Sequence, residues 1–313
     1  MNQYSSKKKP LDPAPHLALL AVQVMFGTFP VVGKIALQSF PSLGIVAFRV
    51  GGACAAFFVL QTISGGIKLE RRNDYWLMAI YALLGVILNQ ILSVTGLSLT
   101  TASNSALLAV MMPVFIAIIS TLFGFDKLNF VKIAGIAIAA SGVIYLINPA
   151  QTSFSLENAR GDLMIVANGF CYAAYIAVSK DVIKRNGALR SLFWLFLFGS
   201  VICVPLGAAS LARLDFSQVT INGWLAITFI VLFPTVGAYY LNAWALARLE
   251  PSVVAVYIYL QPLIGFSLAV VFLGEPFTSK AVIAGLLIFI GVFLVTRQSK
   301  IHNLASDIHA SLH

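Results

Sequence analysis

Charged side chains are scarce in this chain. Asp, Glu, Lys and Arg together make up 10% of its 313 residues, against about 25% in a soluble domain, which leaves too little polar surface to cover a water-soluble fold. Acidic residues are the rarer sign, 11 against 20 basic, and none is expected in the middle of an apolar run. His16, His302, His309 and His313 stand at or beyond the ends of the hydrophobic region, which excludes a mid-membrane histidine proton relay. Cys54, Cys171 and Cys203 are odd in number and scattered, giving neither a disulfide framework nor metal-ligand spacing. They read as small core residues, and neither metal nor cofactor is expected.

What fills the chain is apolar: 59% of residues are hydrophobic. A bilayer core roughly 30 Å thick needs about 20 mostly apolar residues per helical crossing, and such runs occupy nearly the whole sequence. With Gly, Pro and charge clusters as punctuation, spans fall near 16–37, 42–63, 75–97, 101–123 and 128–147. Five more follow near 161–181, 188–210, 221–246, 251–273 and 278–296. The division is a tail over 1–15, a five-span unit over 16–147, a polar linker over 148–160, a second unit over 161–297 and a tail over 298–313. Lys7 to Lys9 before the first run imitate a signal peptide, but 16–37 exceeds a usual apolar region of about 7–15 residues and is expected to stay as a span. Residues Ile301, Leu304, Ala305, Ile308 and Leu312 form a helical stripe in the tail, suited to a surface helix; an irregular tail fits equally.

The net charge of +9 does not point to nucleic acid, because Lys and Arg sit in short gaps between apolar runs rather than on one soluble face. Those gaps set orientation, since basic flanks are retained in the cytoplasm. With the N-terminus inside, fifteen of the 20 basic residues flank the cytoplasmic side, four the other, and Arg49 falls inside span two. Both termini are therefore expected in the cytoplasm, in an inner membrane of bacterial type.

Shifting the second half back by 149 positions pairs Pro113 with Pro262, Phe123 with Phe272, Asp126 with Glu275, Gly142 with Gly291 and Ser103 with Ser252. A shift of 146 pairs Phe26 with Tyr172 and Lys34 with Lys180. Five is odd, so a second copy must enter from the opposite face. The expected fold is all-α, ten transmembrane helices in two inverted five-helix repeats around a central cavity, an arrangement that recurs in secondary transporters.

The sequence resembles the drug/metabolite transporter superfamily, in its EamA-type ten-helix members, over residues 16–297. The resemblance rests on Phe26-Gly27 with Lys34, Tyr172 with Lys180, Pro41 with Arg49, Pro113 and Pro262, and Leu273-Gly274-Glu275-Pro276 followed by Gly285 and Gly291. The family often has Trp where Phe26 and Tyr172 stand here. The resemblance implies a basket-like fold and export of amino acids or related metabolites.

Amides and hydroxyls inside a span should face protein or a wet cavity. Helical spacing groups Asn168, Tyr172 and Tyr175 on span six, with repeat partners Val22, Phe26 and Phe29. Thr235, Tyr239 and Asn242 share a face of span eight, matched by Val86, Gln90 and Ser93 on span three; Asn89 lies about 100° round from Gln90. Val253, Tyr257 and Gln261 share a face of span nine, matched by Asn104, Leu108 and Met112 on span four. The expected cavity lining is Phe26, Phe29, Gln90, Ser93, Asn104, Met112, Asn168, Tyr172, Tyr175, Tyr239, Asn242, Tyr257 and Gln261. The plainer alternative is that each group only bonds a neighbouring helix, at about 0.6 kcal/mol apiece.

Arg49 is a candidate anion contact, with two other roles open to it: reaching the outer interface, or bonding carbonyls of a neighbouring span. Lys34 and Lys180 are expected to reach the interface, and Glu275 to cap the following helix or pair with Lys280. Pro30, Pro113, Pro234 and Pro262 are expected to bend their helices. Gly51 with Ala55 and Gly52 with Ala56 suit close helix contact. The partners expected are a small-molecule substrate and the bilayer. An enzyme is disfavoured because no nucleophile and acid–base set converges at one depth. A flippase for a lipid-linked precursor is the alternative to an exporter, and it would need a lipid-open groove lined by Arg49 and Lys34.

Overall fold

The computed structural model describes residues 13–122, 129–147, 156–246, 248–249, 257–258, 260–291 and 293–294. Among these residues every regular element is helical. We label the helices α1 (Ala14–Leu37), α2 (Ser42–Ser64), α3 (Arg72–Leu99), α4 (beginning at Ala102 and ending at Leu122), α5 (Phe130–Ile147), α6 (Leu156–Asn186), α7 (Ala188–Leu211), α8 (Ile221–Leu246), α9 (Leu260–Leu273) and α10 (Ser279–Gly291). Six of them, α1, α2, α3, α6, α7 and α8, are long and apolar enough to cross a membrane. Ile63, Trp76, Phe130 and Val271 are each more than 70% exposed on the outside of the bundle, a surface that suits lipid. The first turn of α6 occupies part of the stretch expected as linker. Phe123, Asp126, Ser252, Val253, residues 1–12 of the first tail, residues 148–155 of the linker, and residues 295–313 lie outside the described residues.

Local sequence sets the ends of these helices. Pro41 opens α2, and Gly187, at φ 81°, turns α6 directly into α7. Gly274, at φ 63°, ends α9 in the left-handed region, where glycine carries no Cβ penalty. Pro276 then lacks the N–H needed to continue α9. Thr101, Thr220 and Thr278 accept backbone N–H groups at the starts of α4, α8 and α10.

Lipid tails are as apolar as Leu, so the helices are held by close packing rather than by escape from water. Glycine permits the closest crossings. Gly96 of α3 and Gly161 of α6 meet backbone to backbone; a Cβ on Gly161 would lie 2.8 Å from the Gly96 oxygen. Gly142 of α5 faces Ala284 and Ile288 of α10, while Gly291 of α10 faces Gly135 and Ala139 of α5. Each of those four partners is 149 positions from its counterpart, so the contact is reciprocal. The same offset relates two π-helical segments, one at Leu83–Leu88 within α3 and another at Val231–Gly237 within α8.

Candidate functional site

The two halves of the chain meet around an interior cavity of about 110 Å³, several times the ~10–15 Å³ that one water requires. α1, α2, α3 and α4 supply one part of its wall, α6, α8 and α9 the other.

On the α1–α9 side, glycine builds the wall. Gly27 and Gly265 bring these two helices together: a Cβ on Gly265 would lie 3.0 Å from the Gly27 oxygen. One turn earlier on each helix, Gln261 donates to Gln23 Oε1 at 2.7 Å. Phe26, Phe29 and Pro30 continue the same wall. Gln23 was not among the sequence candidates, although it precedes Phe26 by three residues on an otherwise apolar span and so shares its face.

On the α3–α8 side, each π segment comes just before the polar residues it presents. Such insertions recur at functional sites because they turn side chains off the regular helical register. Gln90 donates to the Tyr239 hydroxyl at 3.1 Å, and that hydroxyl lies 3.2 Å from Asn89 Oδ1 and 3.3 Å from the Gly85 oxygen, its acceptors. Asn89 and Gln90 therefore straddle Tyr239, and it is Asn89 that reaches the cavity wall while Gln90 stands behind it. Asn89 also donates to Asn168 of α6 at 2.5 Å. The Tyr239 ring packs edge-on against Phe26, Tyr172 and Phe196, at centroid distances of 6.0, 6.0 and 5.1 Å.

Ten of the fourteen sequence candidates lie on this wall: Phe26, Phe29, Arg49, Ser93, Met112, Asn168, Tyr172, Tyr239, Asn242 and Gln261. The other four lie elsewhere. Tyr175 packs over Gly85 and beside Tyr81, one turn beyond Tyr172. Asn104 donates to both oxygens of Asp162. Tyr257 bonds His16 Nδ1 at 2.8 Å. Gln90 backs Tyr239, as described. Spacing placed Asn104 and Tyr257 on the same faces as true wall residues, but each lies at the helix end and finds a polar partner there.

Arg49 is 3% exposed, so it does not reach out to the interface. Its Nε donates to Thr235 Oγ1 at 3.0 Å and its guanidinium carbon lies 4.1 Å over the Phe29 ring, a cation–π contact. Thr235 is in the α8 π segment and donates its own proton to the Ile230 oxygen.

Two ionic clusters close the helix ends. Asp74 of α3 takes Arg185 Nη2 at 2.5 Å and Asn186 Nδ2 at 2.8 Å, both on α6. At the other end, Asp162 is fully buried, bonded to Thr100 and Asn104 and electrostatically coupled to Lys280. It lies in the second turn of α6, a buried acid near a span end. Glu275 does not cap the helix that follows it. Its two oxygens accept the N–H groups of Ala102 and Ser103 at 2.8 and 2.9 Å, at the start of α4. Thr278 takes the cap of α10 instead. Lys34 interacts electrostatically with Glu275 and is not part of the cavity wall.

A two-repeat match decides the family: residues 14–148 and 159–297 each match the EamA-like transporter family. This chain is a member of that family. The transporter is 24% identical over 288 residues to the uncharacterized transporter YetK of Bacillus subtilis, covering 91% of this chain and 87% of that one. It is 25% identical over 287 residues to an uncharacterized transporter of Archaeoglobus fulgidus, covering 90% and 97%. It is 23% identical over 291 residues to a Streptantibioticus cattleyicolor protein named "Probable terminal-alkyne amino-acid exporter", covering 92% and 95%. These relatives are named as transporters rather than enzymes. A crystal structure 17% identical in sequence superposes with a TM-score of 0.63, covering 91% of this chain and 97% of that one, which shows a shared fold. The transporter is thus an integral, multi-pass membrane protein whose partners are a small molecule and the bilayer.

Proposed function

We propose that this transporter exports small metabolites such as amino acids, by alternating access between two inverted five-helix repeats that hold the substrate between them. The observation that carries the reading is the cavity between the halves. Its wall combines aromatic rings and amides from both, and its described lining contains no Asp or Glu. Such a wall suits a small solute held by stacking and hydrogen bonds.

The inverted arrangement of ten helices is supported by contacts between residues 149 positions apart or reciprocally related by that offset. Gln90 with Tyr239 is one, and Gly142 and Gly291 with their partners are others. Reciprocal contacts of this kind are the mark of a two-fold axis, and with five spans per repeat that axis must lie in the membrane plane. The excess of basic residues on one set of loops supports cytoplasmic termini, in a bacterial inner membrane. The name of the Streptantibioticus cattleyicolor relative supports amino acids as the solute class. The groove that a lipid-precursor flippase needs would pair Arg49 with Lys34, whereas Arg49 faces the tyrosine-bearing cavity without Lys34.

The test is efflux from liposomes containing the purified protein and loaded with labelled amino acids and related metabolites, with and without a pH gradient. Protein-dependent efflux of one class is expected. Flux equal to protein-free liposomes for the whole panel would overturn the proposal.

A further inference from the structure

The strongest chemical asymmetry in the cavity is Arg49. It is a guanidinium in the membrane interior with no carboxylate against it among the described residues. Its Nε is used by Thr235, while its Nη1 is buried with no hydrogen-bond partner. A structural arginine in lipid pairs with an acid or saturates its donors on carbonyls, because an uncompensated charge there is expensive. Arg49 does neither.

Its surroundings fix it as a preset donor. Thr235 spends its own proton on Ile230, so its oxygen is left to accept from Nε and hold the guanidinium plane. The face of Phe29 supports the cation from the other direction. A planar guanidinium fork matches the two oxygens of a carboxylate.

We infer that Arg49 is the carboxylate-binding residue of the cavity, and that the transported solute is a small monocarboxylate, amino acids included, with an apolar remainder. This rests on the transport reading above and narrows its substrate class. The described wall holds no second cation to match a second negative charge: Lys34 and Lys280 are not part of it. A phosphate dianion would leave charge unmatched. An apolar remainder fits because four of the wall's five amides are already paired with one another, Gln23 with Gln261 and Asn89 with Asn168. The wall then offers Phe26 and Met112 to whatever the carboxylate carries.

The test uses matched pairs that differ only at the carboxyl group: phenylalanine with phenylalaninamide, leucine with leucinamide, and 3-phenylpropanoate with 3-phenylpropanamide. Each is titrated into the detergent-solubilised protein, and thermal stabilisation is followed. Half-saturation is expected at a concentration about tenfold or more lower for each carboxylate than for its amide, with Arg49→Lys keeping part of the ratio and Arg49→Gln reducing it to within about twofold. Without ligand, Arg49→Gln is expected to unfold at the same or a higher temperature, since it removes an unpaired buried charge. Equal half-saturation of acid and amide in the unsubstituted protein, or a ratio unchanged in Arg49→Gln, overturns the inference and leaves the transport reading standing. Lower ligand-free stability of Arg49→Gln with the ratio retained makes Arg49 structural and also overturns it. If no pair stabilises the protein and no member of the panel is exported by it, both readings fall together.

Discussion

Gln90 donates to the hydroxyl of Tyr239 at 3.1 Å, and the two residues are 149 positions apart. That separation is the offset that carries the π segment of α3 onto the π segment of α8 and Gly142 onto Gly291. Two equivalent positions of a duplicated unit touch only where the units face each other. Gln90 and Tyr239 therefore mark the seam between the halves, and the cavity lies beside that seam.

Tyr239 contributes to this seam through both its hydroxyl and its ring. Tyr239→Phe removes the partner of Gln90 and Asn89 and is expected to cost about 1 kcal/mol in thermal unfolding, given about 0.6 kcal/mol for an interhelical bond in a membrane. Tyr239→Ala also removes the ring against which Phe26, Tyr172 and Phe196 pack. Efflux is expected to fall by about tenfold or more, equivalent to roughly 1.4 kcal/mol, with folded protein still recovered. Undiminished efflux would remove Tyr239 from the site.

The α1–α9 wall depends on Gly265. A Cβ there would lie 2.8 Å from the Ala106 Cβ as well as close to the Gly27 oxygen. Gly265→Val is expected to destabilise the protein by about 1–3 kcal/mol through overpacking and to part Gln23 from Gln261. Gln261→Ala leaves the crossing in place, so it should lower efflux with little change in unfolding temperature. Comparing the two separates loss of the wall from loss of its amide.

Glu275 acts on α4 rather than on its own helix. Glu275→Ala leaves the Ala102 and Ser103 N–H groups without their acceptor and should cost about 1 kcal/mol in thermal unfolding, the usual worth of an N-terminal cap. Glu275→Gln keeps one accepting oxygen and loses the charge at the helix start, so it should fall between. A wild-type unfolding temperature for Glu275→Ala would contradict this role.

The Asp74–Arg185 pair fastens α3 to α6. Asp74→Ala and Arg185→Ala are each expected to lower the unfolding temperature, Asp74→Ala by more because it also removes one of the two acceptors of the Asn186 amide, which keeps Val182. The exchanged double variant, Asp74→Arg with Arg185→Asp, should recover part of the loss. Independent, additive losses would show that the contact contributes nothing.

Much of this was legible in the sequence, for a physical reason. Polar residues have few places to go in lipid, so helical spacing of Asn168 with Tyr172 and of Tyr239 with Asn242 located wall residues directly. The offset of 149 was legible through Gly142 and Gly291, because close crossing demands glycine in both copies. What spacing could not supply was depth along the helix. Asn104 and Tyr257 share faces with wall residues yet bond Asp162 and His16 at helix ends. Nor could it foresee the π segments, which leave Asn89 on the wall and Gln90 behind it. Glu275 capping α4 was out of reach because its partners are more than 170 positions away.

The central claim is that the solute passes through the cavity between the halves. The most direct test replaces Ser93, on the wall, with cysteine after Cys54, Cys171 and Cys203 are changed to alanine. A membrane-impermeant thiol reagent is applied from each side of sealed vesicles in turn. Labelling from both sides is expected, slowed by an exported solute and unchanged by one that is not exported. No labelling from either side, or labelling indifferent to an exported solute, would contradict the account.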